Sequence, residues 1–276
     1  MWVDVGRIRL WVELDGEGPP ALLLHGLGSC AEDWALQRAA LGRRYRLIVP
    51  DLRGHGRSSR AIGLWTVEDM GRDVAALLDW LEIESAHVLG LSMGGCVALT
   101  LALSCPGRVR SLVLVNTGAV IRPGGRKLLR VARRLAALAA GGPAAMASVI
   151  AEGLFPGEGQ ERLRREAERR LAQVDVLSYL CTLLALARYD VRRRLGEIAC
   201  PTLVMAGARD ATLGTAPAQL LAERIPGARL IIVPDSGHAT PLDQPHLFNR
   251  LVRAFWAEVD ASRAEDVAPE PAAAPR

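Results

Sequence analysis

The sequence predicts an α/β protein with a mostly parallel sheet, into which a helical segment is inserted. Two observations predict this fold class. Short apolar runs alternate with amphipathic stretches over residues 1–121 and again over residues 195–260, which is the pattern of strand and helix units that build a parallel sheet. Residues 122–194, which lie between them, show helical patterns alone. We therefore predict a core domain formed by 1–121 and 195–260, a helical cap at 122–194 and a disordered tail at 261–276.

Seven strands are predicted, and most of them end in a glycine-rich or polar loop. The first alternates apolar and polar residues and is expected at an edge of the sheet. The others are short apolar runs, which are typical of buried parallel strands. The strands are expected at residues 8–14, 21–24, 47–50, 87–91, 112–115, 202–206 and 230–233.

The helices are predicted from apolar residues at helical spacing. Residues 67–81 form such a stripe with Thr66 as the N-cap, and a more uniformly apolar helix follows residue 95. The closing helix is expected from Pro245 to about Val259, and the Ala-, Pro- and Glu-rich composition of 261–276 predicts disorder beyond it. The cap is expected to contain four helices, at 128–140, 143–154, 160–174 and 176–188.

The composition excludes several classes of protein. Of the 276 residues, 50% are hydrophobic and 23% are charged, which is ordinary for a globular domain. No run reaches the roughly 18 apolar residues of a membrane span, and the N-terminus carries charges where a secretion signal needs an apolar stretch. The five cysteines never show CxxC spacing, so neither a disulfide framework nor a zinc site is predicted. We expect a cytoplasmic monomer or homodimer with no membrane or nucleic-acid partner.

The motif Gly90-Leu91-Ser92-Met93-Gly94 lies between a predicted strand and a predicted helix. In that context G-x-S-x-G predicts a sharp turn that presents the serine as a nucleophile. Side chains at Gly90 or Gly94 would collide with neighbouring backbone in so tight a turn, and Gly95 extends the requirement for a small residue. The Met93 N–H at the start of the helix is well placed to stabilise an oxyanion.

A serine hydroxyl needs a base, and the base needs a group that orients it. His238 follows the strand at 230–233, and Asp210 follows the strand at 202–206, so both belong to loops at the carboxyl edge of the sheet. We predict that Asp210 accepts the Nδ1 proton of His238 and that His238 activates Ser92. Asp235 is the rival acid, although its place in a turn favours a local backbone role. The strand at 112–115 ends in Asn116, which offers no carboxylate.

The loop His25-Gly26-Leu27-Gly28 follows an earlier strand and is expected to supply a second oxyanion donor, the N–H of Leu27. His25 and His55 are predicted to be structural, because each lies in a tight glycine-rich loop. The sequence has no metal-ligand spacing and no phosphate-binding glycine loop after a strand. No metal site is predicted, and the expected chemistry requires no cofactor.

These motifs resemble those of the α/β-hydrolase superfamily over residues 8–259. The resemblance is carried by HGLG at 25–28, DLRGHGRS at 51–58, GLSMGG at 90–95, GARD at 207–210 and SGHATPLDQP at 236–245. It implies an eight-stranded, mostly parallel sheet with helices on both faces and an inserted helical cap. It also assigns Ser92, Asp210 and His238 as a catalytic triad, and a carboxylic-ester hydrolase as the default activity.

Within the superfamily several activities stay open. The segments around 51–58, 90–95 and 112–119 are similar to 3-oxoadipate enol-lactonases, and the same triad occurs in cofactor-free perhydrolases. Pimeloyl-carrier methyl ester esterases are a further alternative, and so is a non-catalytic member that binds a hydrophobic ligand. The expected partner is a small-molecule ester with a small to medium acyl or aromatic group.

The predicted cap is strongly basic, with 15 arginines and lysines against 7 acidic residues between Arg122 and Arg194. Such a charge could steer carboxylate-bearing substrates or an acidic carrier protein. The interleaved acidic and basic residues of 160–174 favour solvated helix faces instead. The apolar residues of the cap are expected to line the seam over the active site: Leu128, Leu135, Leu138, Met146, Phe155, Leu177 and Leu180.

Overall fold

The computed structural model of the chain describes residues 1–60, 63–121 and 126–267. Its centre is an eight-stranded sheet in the order β1-β2-β4-β3-β5-β6-β7-β8. The first two pairings, β1 with β2 and β2 with β4, are antiparallel, and all others are parallel. The strands are β1 Trp2–Asp4, β2 Arg9–Asp15, β3 Pro20–Leu24, β4 Arg46–Pro50, β5 Ala86–Leu91, β6 Val109–Val115, β7 Thr202–Gly207 and β8 Arg229–Val233. The predicted fold class is thereby confirmed.

Nine α-helices occur in the described part of the chain, and those of the core cover both faces of the sheet. Two separate apolar clusters of buried residues lie on the two sides of the sheet. This arrangement is typical of parallel sheets, which are covered by helices on both faces. The helices are α1 Ala35–Leu41, α2 Val67–Trp80, α3 Met93–Ser104, α4 Arg126–Leu154, α5 Glu161–Leu171, α6 Val176–Arg188, α7 Ala216–Arg224, α8 Thr240–Asp243 and α9 Pro245–Val267.

The start of α2 shows how local chemistry sets an element boundary. The Thr66 hydroxyl accepts a hydrogen bond from the Asp69 N–H, and the Asp69 carboxylate accepts one from the Thr66 N–H. This reciprocal capping box satisfies N–H groups that have no partner within the helix. Thr66 is therefore the N-cap that the sequence predicted.

Two predictions on the core need correction, and one helix was not predicted. Strand β2 is not at the edge of the sheet, because β1 pairs with it from outside, and three residues are too few to give a strand pattern. Helix α1 has no counterpart among the predicted elements. The tail predicted from residue 261 is helical to Val267, since this stretch is rich in good helix formers that continue α9. Residues 268–276 of that tail lie outside the described residues.

The segment between β6 and β7 contains α4, α5 and α6, and we refer to residues 126–194 as the cap. Helix α4 is broken at Gly141 and Gly142, which have non-helical backbone angles. By length and average composition, Leu128–Leu154 could cross a membrane. The sequence nevertheless has no uninterrupted apolar run of about 18 residues there. However, the part of α4 after the break packs into the small apolar cluster of the cap around Met146 and Tyr179.

Candidate active site

The Ser92 side chain stands at the turn between β5 and α3, in a strained backbone conformation. Its φ is 52° and its ψ is −111°, a region that non-glycine residues seldom adopt. The Ser92 N–H donates to the Val115 carbonyl at 2.9 Å, and the Thr117 hydroxyl donates to the Ser92 carbonyl at 2.6 Å. These bonds to the end of β6 hold the turn in place and project the Ser92 hydroxyl away from the sheet.

The glycines around Ser92 are required by close backbone approach. A Cβ at Gly90 would collide with the Gly94 carbonyl, and a Cβ at Gly94 would collide with the Leu24 carbonyl of β3. At Gly95 the obstacle is the Thr117 side chain, 2.5 Å from such a Cβ. Gly26 differs, because a Cβ there would meet Leu91 and Ser92 at 3.7 Å, which is ordinary contact. Close approach therefore does not require a glycine at position 26.

His238 and Asp210 come together with Ser92 at the carboxyl edge of the sheet. The distance from His238 Nε2 to Ser92 Oγ is 2.9 Å, and from His238 Nδ1 to Asp210 Oδ2 it is 2.8 Å. Both side chains are almost fully buried. An Nδ1–H that donates to Asp210 leaves the Nε2 lone pair directed at the serine hydroxyl, as a general base requires.

The environment of Asp210 keeps its carboxylate ionised. Burial opposes the charge, but the charge and hydrogen bond of His238 and the N–H groups of Leu213 and Thr212 outweigh burial, so the pKa of Asp210 is lowered. Those N–H groups lie 3.1 and 2.7 Å from Asp210 Oδ1. The rival Asp235 is exposed and forms an ion pair with Arg209, so it does not contact the imidazole.

Two residues of the cavity that contains Ser92 have backbone N–H groups free to bind a ligand. The N–H groups of Leu27 and Met93 have no hydrogen-bond partner among the described residues, and both residues line the same cavity as Ser92. Met93 is the first residue of α3, so the positive end of the helix dipole lies there. This pair of donors is suited to hold an oxyanion that forms on Ser92.

His25 holds the loop that carries Leu27. Its Nδ1–H donates to the Gly26 carbonyl at 2.8 Å, and its Nε2 accepts from the Leu52 N–H at 2.9 Å. Burial lowers the pKa of His25 to about 4 and, with the charge of His25, that of His55 to about 3, so both imidazoles are neutral at pH 7. His55 donates to the Arg53 carbonyl. Both contacts agree with the structural roles predicted for these histidines.

Asn116 is a functional residue that sequence reasoning set aside because it is not an acid. Its Nδ2 donates to the His238 carbonyl at 2.8 Å and to the Thr240 hydroxyl at 2.7 Å, while its Oδ1 accepts from the Gly207 N–H at 2.8 Å. The amide thus connects the loop of His238 with the end of β7, from which the Asp210 loop begins. The sequence shows only a polar residue at the end of a strand, which does not reveal these contacts.

We expect Asn116→Ala to lower kcat by about tenfold and to leave KM within about twofold of wild type. The change leaves the His238 carbonyl and the Gly207 N–H unpaired in a buried place, which costs about 1 to 3 kcal/mol of folding free energy for each group. The His238 loop loses its register with Ser92. The measurements are steady-state kinetics and the urea midpoint. Asn249→Ala removes a half-buried asparagine that donates to the Leu36 carbonyl and accepts from the Gln37 amide, and it is the matched control. Equal kcat for both folded variants would contradict the prediction.

The His238 loop has a second anchor in Asp243, which the sequence analysis did not identify. Asp243 accepts from the Gly237 N–H at 2.6 Å and from the Ser236 hydroxyl at 2.8 Å. Burial is the main reason why the pKa of Asp243 is raised, although these hydrogen bonds oppose the rise. The loop is consequently fixed from both sides of His238.

A cavity of about 950 Å³ extends from Ser92 beneath the cap helices. Phe155 and Leu180 line it, as predicted, but Leu128, Leu135 and Leu177 are exposed on the outer surface of the cap. Leu138 and Met146 belong to the apolar cluster inside the cap. The prediction failed for these five because helical spacing alone does not tell which face of a cap helix is turned toward the core.

An ion-pair network links the cap to the loop region that follows Leu27. Arg170 on α5 contacts both Asp33 and Glu166, and the Ser29 hydroxyl donates to Asp33. Leu27 itself packs against the apolar cluster of the cap. The predicted solvated faces of α5 are also present, since Arg169 pairs with Glu166 at 2.8 Å.

No group of three or more metal-ligating side chains occurs among residues 1–60, 63–121 and 126–267.

Known proteins of similar sequence include hydrolases. The family profile described as "alpha/beta hydrolase fold" matches residues 19–245. A protein of Azorhizobium caulinodans with the provisional name carbamate hydrolase RutD is 36% identical over 92% of this chain and 97% of its own length. The 3-oxoadipate enol-lactonase 2 of Acinetobacter baylyi is 34% identical over 85% of this chain and 88% of its own.

The fold has a similar counterpart among solved structures. The crystal structure of the enol-lactonase from Burkholderia xenovorans LB400 superposes with a TM-score of 0.86 and 30% identity, covering 93% of this chain and all of that one. The structural similarity therefore extends over almost the whole chain.

Proposed function

The chain belongs to the α/β-hydrolase fold family, and from that premise we propose that it is a serine hydrolase of carboxylic esters that acts through an acyl-enzyme on Ser92. The observation that carries the proposal is the continuous chain of hydrogen bonds from Ser92 through His238 to Asp210, at 2.9 and 2.8 Å. The hydrolase class follows from the family. The ester substrate and the covalent intermediate are the proposal.

The geometry supports the following mechanism. His238 takes the proton of Ser92 as the hydroxyl attacks the ester carbonyl, and Asp210 stabilises the imidazolium that forms. The N–H groups of Leu27 and Met93 bind the oxyanion of the tetrahedral intermediate. His238 then gives its proton to the departing alcohol, and in the second half of the cycle it activates the water that releases the acid. None of these steps uses a metal or a cofactor.

The relatives suggest which acyl bonds to compare. An enol-lactone is a cyclic ester, and attack on it by Ser92 opens the ring while the leaving group stays attached to the acyl chain. A carbamate carries nitrogen on the same carbonyl, and the same attack would form a carbamoyl-enzyme. Both are carbonyl substrates of one triad, so lactones and carbamates belong in the substrate panel beside simple esters. We still expect the enzyme to be a cytoplasmic monomer or homodimer that acts on a small molecule.

The test combines turnover with covalent labelling. A neutral fluorophosphonate should add one phosphonyl group per chain, and peptide mapping should locate it on Ser92. Methyl and p-nitrophenyl esters of two to twelve carbons, γ-lactones and aryl carbamates are then compared by kcat/KM. Turnover of esters together with a single label on Ser92 is the expected result. A folded protein without turnover and without label would favour the non-catalytic, ligand-binding alternative.

A further inference from the structure

The turn that carries Leu27 is closed by hydrogen bonds to the Gly26 carbonyl. The Ser29 N–H donates to this carbonyl at 3.2 Å, and His25 Nδ1–H donates to it at 2.8 Å. Leu27 lies inside the turn, so the direction of its N–H depends on where Gly26 and Ser29 are held. We refer to residues 26–29 as the oxyanion loop.

The Ser29 side chain ties the oxyanion loop to an acid that the mechanism does not use. Its hydroxyl donates to Asp33 Oδ2, and Arg170 of the cap helix α5 donates through Nη1 to the other oxygen, Oδ1. The side chains of Asp33 and Arg170 are only 23% and 27% exposed. A charge-assisted hydrogen bond between two partly buried groups fixes their relative position better than an exposed ion pair does.

The cap also lies directly on the oxyanion loop. A Cβ at Gly28, whose φ is 77°, would be 2.7 Å from Leu171 Cδ2 of α5 and 3.6 Å from the Tyr179 ring of α6. Leu27 packs against the apolar cluster of the cap. Since Leu171 follows Arg170 in the chain, the apolar contact and the ion pair come from the same turn of α5. A displacement of that turn must therefore move or release the oxyanion loop.

The core of the protein holds the two ends of the same segment. Before the oxyanion loop, His25 Nε2 accepts from the Leu52 N–H at 2.9 Å, and after it the Ala31 N–H donates to Asp51 at 2.6 Å. These bonds anchor the base of the segment but do not involve residues 27–29. The middle of the oxyanion loop, which presents the proposed donor, is instead contacted by α5 and α6 of the cap.

We propose that Arg170 is a positioning residue that holds the Leu27 N–H in the direction of the oxyanion. It acts through Asp33 and Ser29 and touches neither the reacting atoms nor the triad. The inference rests on the proposed function, and it makes the cap a part of the oxyanion site. An N–H donor that is not held in advance stabilises the transition state less, while substrate binding in the ground state is little affected. The loss of Arg170 should therefore appear in kcat and not in KM.

Adjacent arginines of α5 provide a matched pair of variants. Arg169 is 69% exposed and pairs with Glu166 at 2.8 Å, whereas Arg170 contacts both Glu166 and Asp33. Arg169→Met and Arg170→Met remove the same charge from neighbouring positions and keep an unbranched side chain. Arg170→Lys is the conservative variant, because it keeps a cation within reach of Asp33. Asp33→Asn removes the partner charge and keeps an oxygen for the Ser29 hydroxyl.

The first readout is the hydrolysis of p-nitrophenyl butyrate, which carries no negative charge for an arginine to bind. We expect Arg170→Met to lower kcat about tenfold or more and to keep KM within about twofold. Arg170→Lys should keep kcat within about threefold of wild type, and Arg169→Met within about twofold. Because the effect passes through Asp33, Arg170→Met should lower kcat by less than about twofold when it is added to Asp33→Asn. Additive losses, or equal losses in both arginine variants, would overturn the proposal.

A pair of inhibitors tests the oxyanion itself. The ketone 1,1,1-trifluoro-2-octanone accepts attack by Ser92 Oγ, which forms a hemiketal oxyanion while the serine proton passes to His238. The matching alcohol, 1,1,1-trifluoro-2-octanol, fills the same space but cannot be attacked. We expect Arg170→Met to raise the inhibition constant of the ketone about tenfold and that of the alcohol less than about twofold. Equal changes for ketone and alcohol would show a general change of the cavity and overturn the positioning role.

Hydrogen exchange separates this inference from the proposed function, because it needs no turnover. Peptides that cover residues 25–34 are compared by mass spectrometry in wild type, Arg169→Met and Arg170→Met. We expect faster exchange of this segment in Arg170→Met alone. Unchanged exchange overturns the positioning role even where the wild type hydrolyses esters. Faster exchange in Arg170→Met, in a protein that hydrolyses no ester, upholds the positioning of the oxyanion loop by the cap and rejects the hydrolytic proposal instead.

Discussion

Replacing Ser92 with alanine should lower kcat on esters by about 10⁵-fold or more and leave the fold intact. In serine hydrolases the triad acts as a unit, and loss of the nucleophile removes the acyl-enzyme route as a whole. What remains is the smaller contribution of the Leu27 and Met93 N–H groups to attack by water. The measurement is kcat with a p-nitrophenyl ester, together with circular dichroism and the urea midpoint of each protein.

The control for Ser92→Ala is Ser104→Ala, which removes an exposed hydroxyl from the other end of the same helix, α3. Ser104→Ala should keep kcat within about twofold of wild type and should accept the fluorophosphonate. Turnover by a folded Ser92→Ala protein within about tenfold of wild type would show that another group attacks the substrate, and the mechanism proposed above would be wrong.

The second large effect is expected for Asp210→Asn, which should lower kcat by about 10⁴-fold. The shape of the side chain is kept, but an amide can direct its NH₂ group at His238 Nδ1. The imidazole then carries its proton on Nε2, facing Ser92, and no longer acts as a base. The imidazolium of the transition state also loses its negative partner. Steady-state kinetics between pH 6 and pH 9 measure the loss.

Two other acids near His238 serve as comparisons for Asp210→Asn. Asp243→Asn alters the anchor of the His238 loop and should lower kcat by about tenfold. The change shifts the position of the imidazole but leaves the proton on His238 Nδ1. Asp235→Asn alters only an exposed partner of Arg209 and should stay within about twofold. A greater loss in Asp243→Asn than in Asp210→Asn would identify Asp243 as the orienting acid.

The elements nearest the chemistry could be predicted because their signals are local. A strand, a tight glycine turn and a helix around Ser92 are contiguous in sequence. Gly90 and Gly94 are required there by the close backbone approaches that the motif implies. Asp210 and His238 could be predicted as well, because each follows its own strand, and parallel strands bring their carboxyl ends to one edge.

The features that could not be predicted depend on contacts between distant segments. Asn116 acts through residues that lie 91 to 124 positions later in the chain, and its pattern at a strand end resembles that of any polar turn residue. The orientation of α4 had the same difficulty. Its leucines and arginines both recur at helical spacing, so the pattern does not show which face of α4 is turned inward. Packing against α5 and α6 determines that face.

The continuation of α9 to Val267 illustrates a different limit. Alanine, arginine and glutamate are enriched both in solvated helices and in disordered tails, so composition does not separate the two. The helix extends beyond Val259, a buried apolar residue, and the next residue, Asp260, forms a hydrogen bond of 3.0 Å with the buried His87. Such a polar anchor between elements 173 residues apart has no local signature.

The catalytic hydrogen bonds join residues that are far apart in the sequence, and this separation has a consequence for folding. Ser92 and His238 are 146 residues apart, and the cap lies between them. Contacts of such high sequence separation form late, because their loop-closure entropy is recovered only when the surrounding structure is in place. A refolding chain therefore regains a reactive serine only after β7 and β8 have joined the sheet. We therefore expect the helical circular dichroism signal to recover before activity when the unfolded chain is refolded.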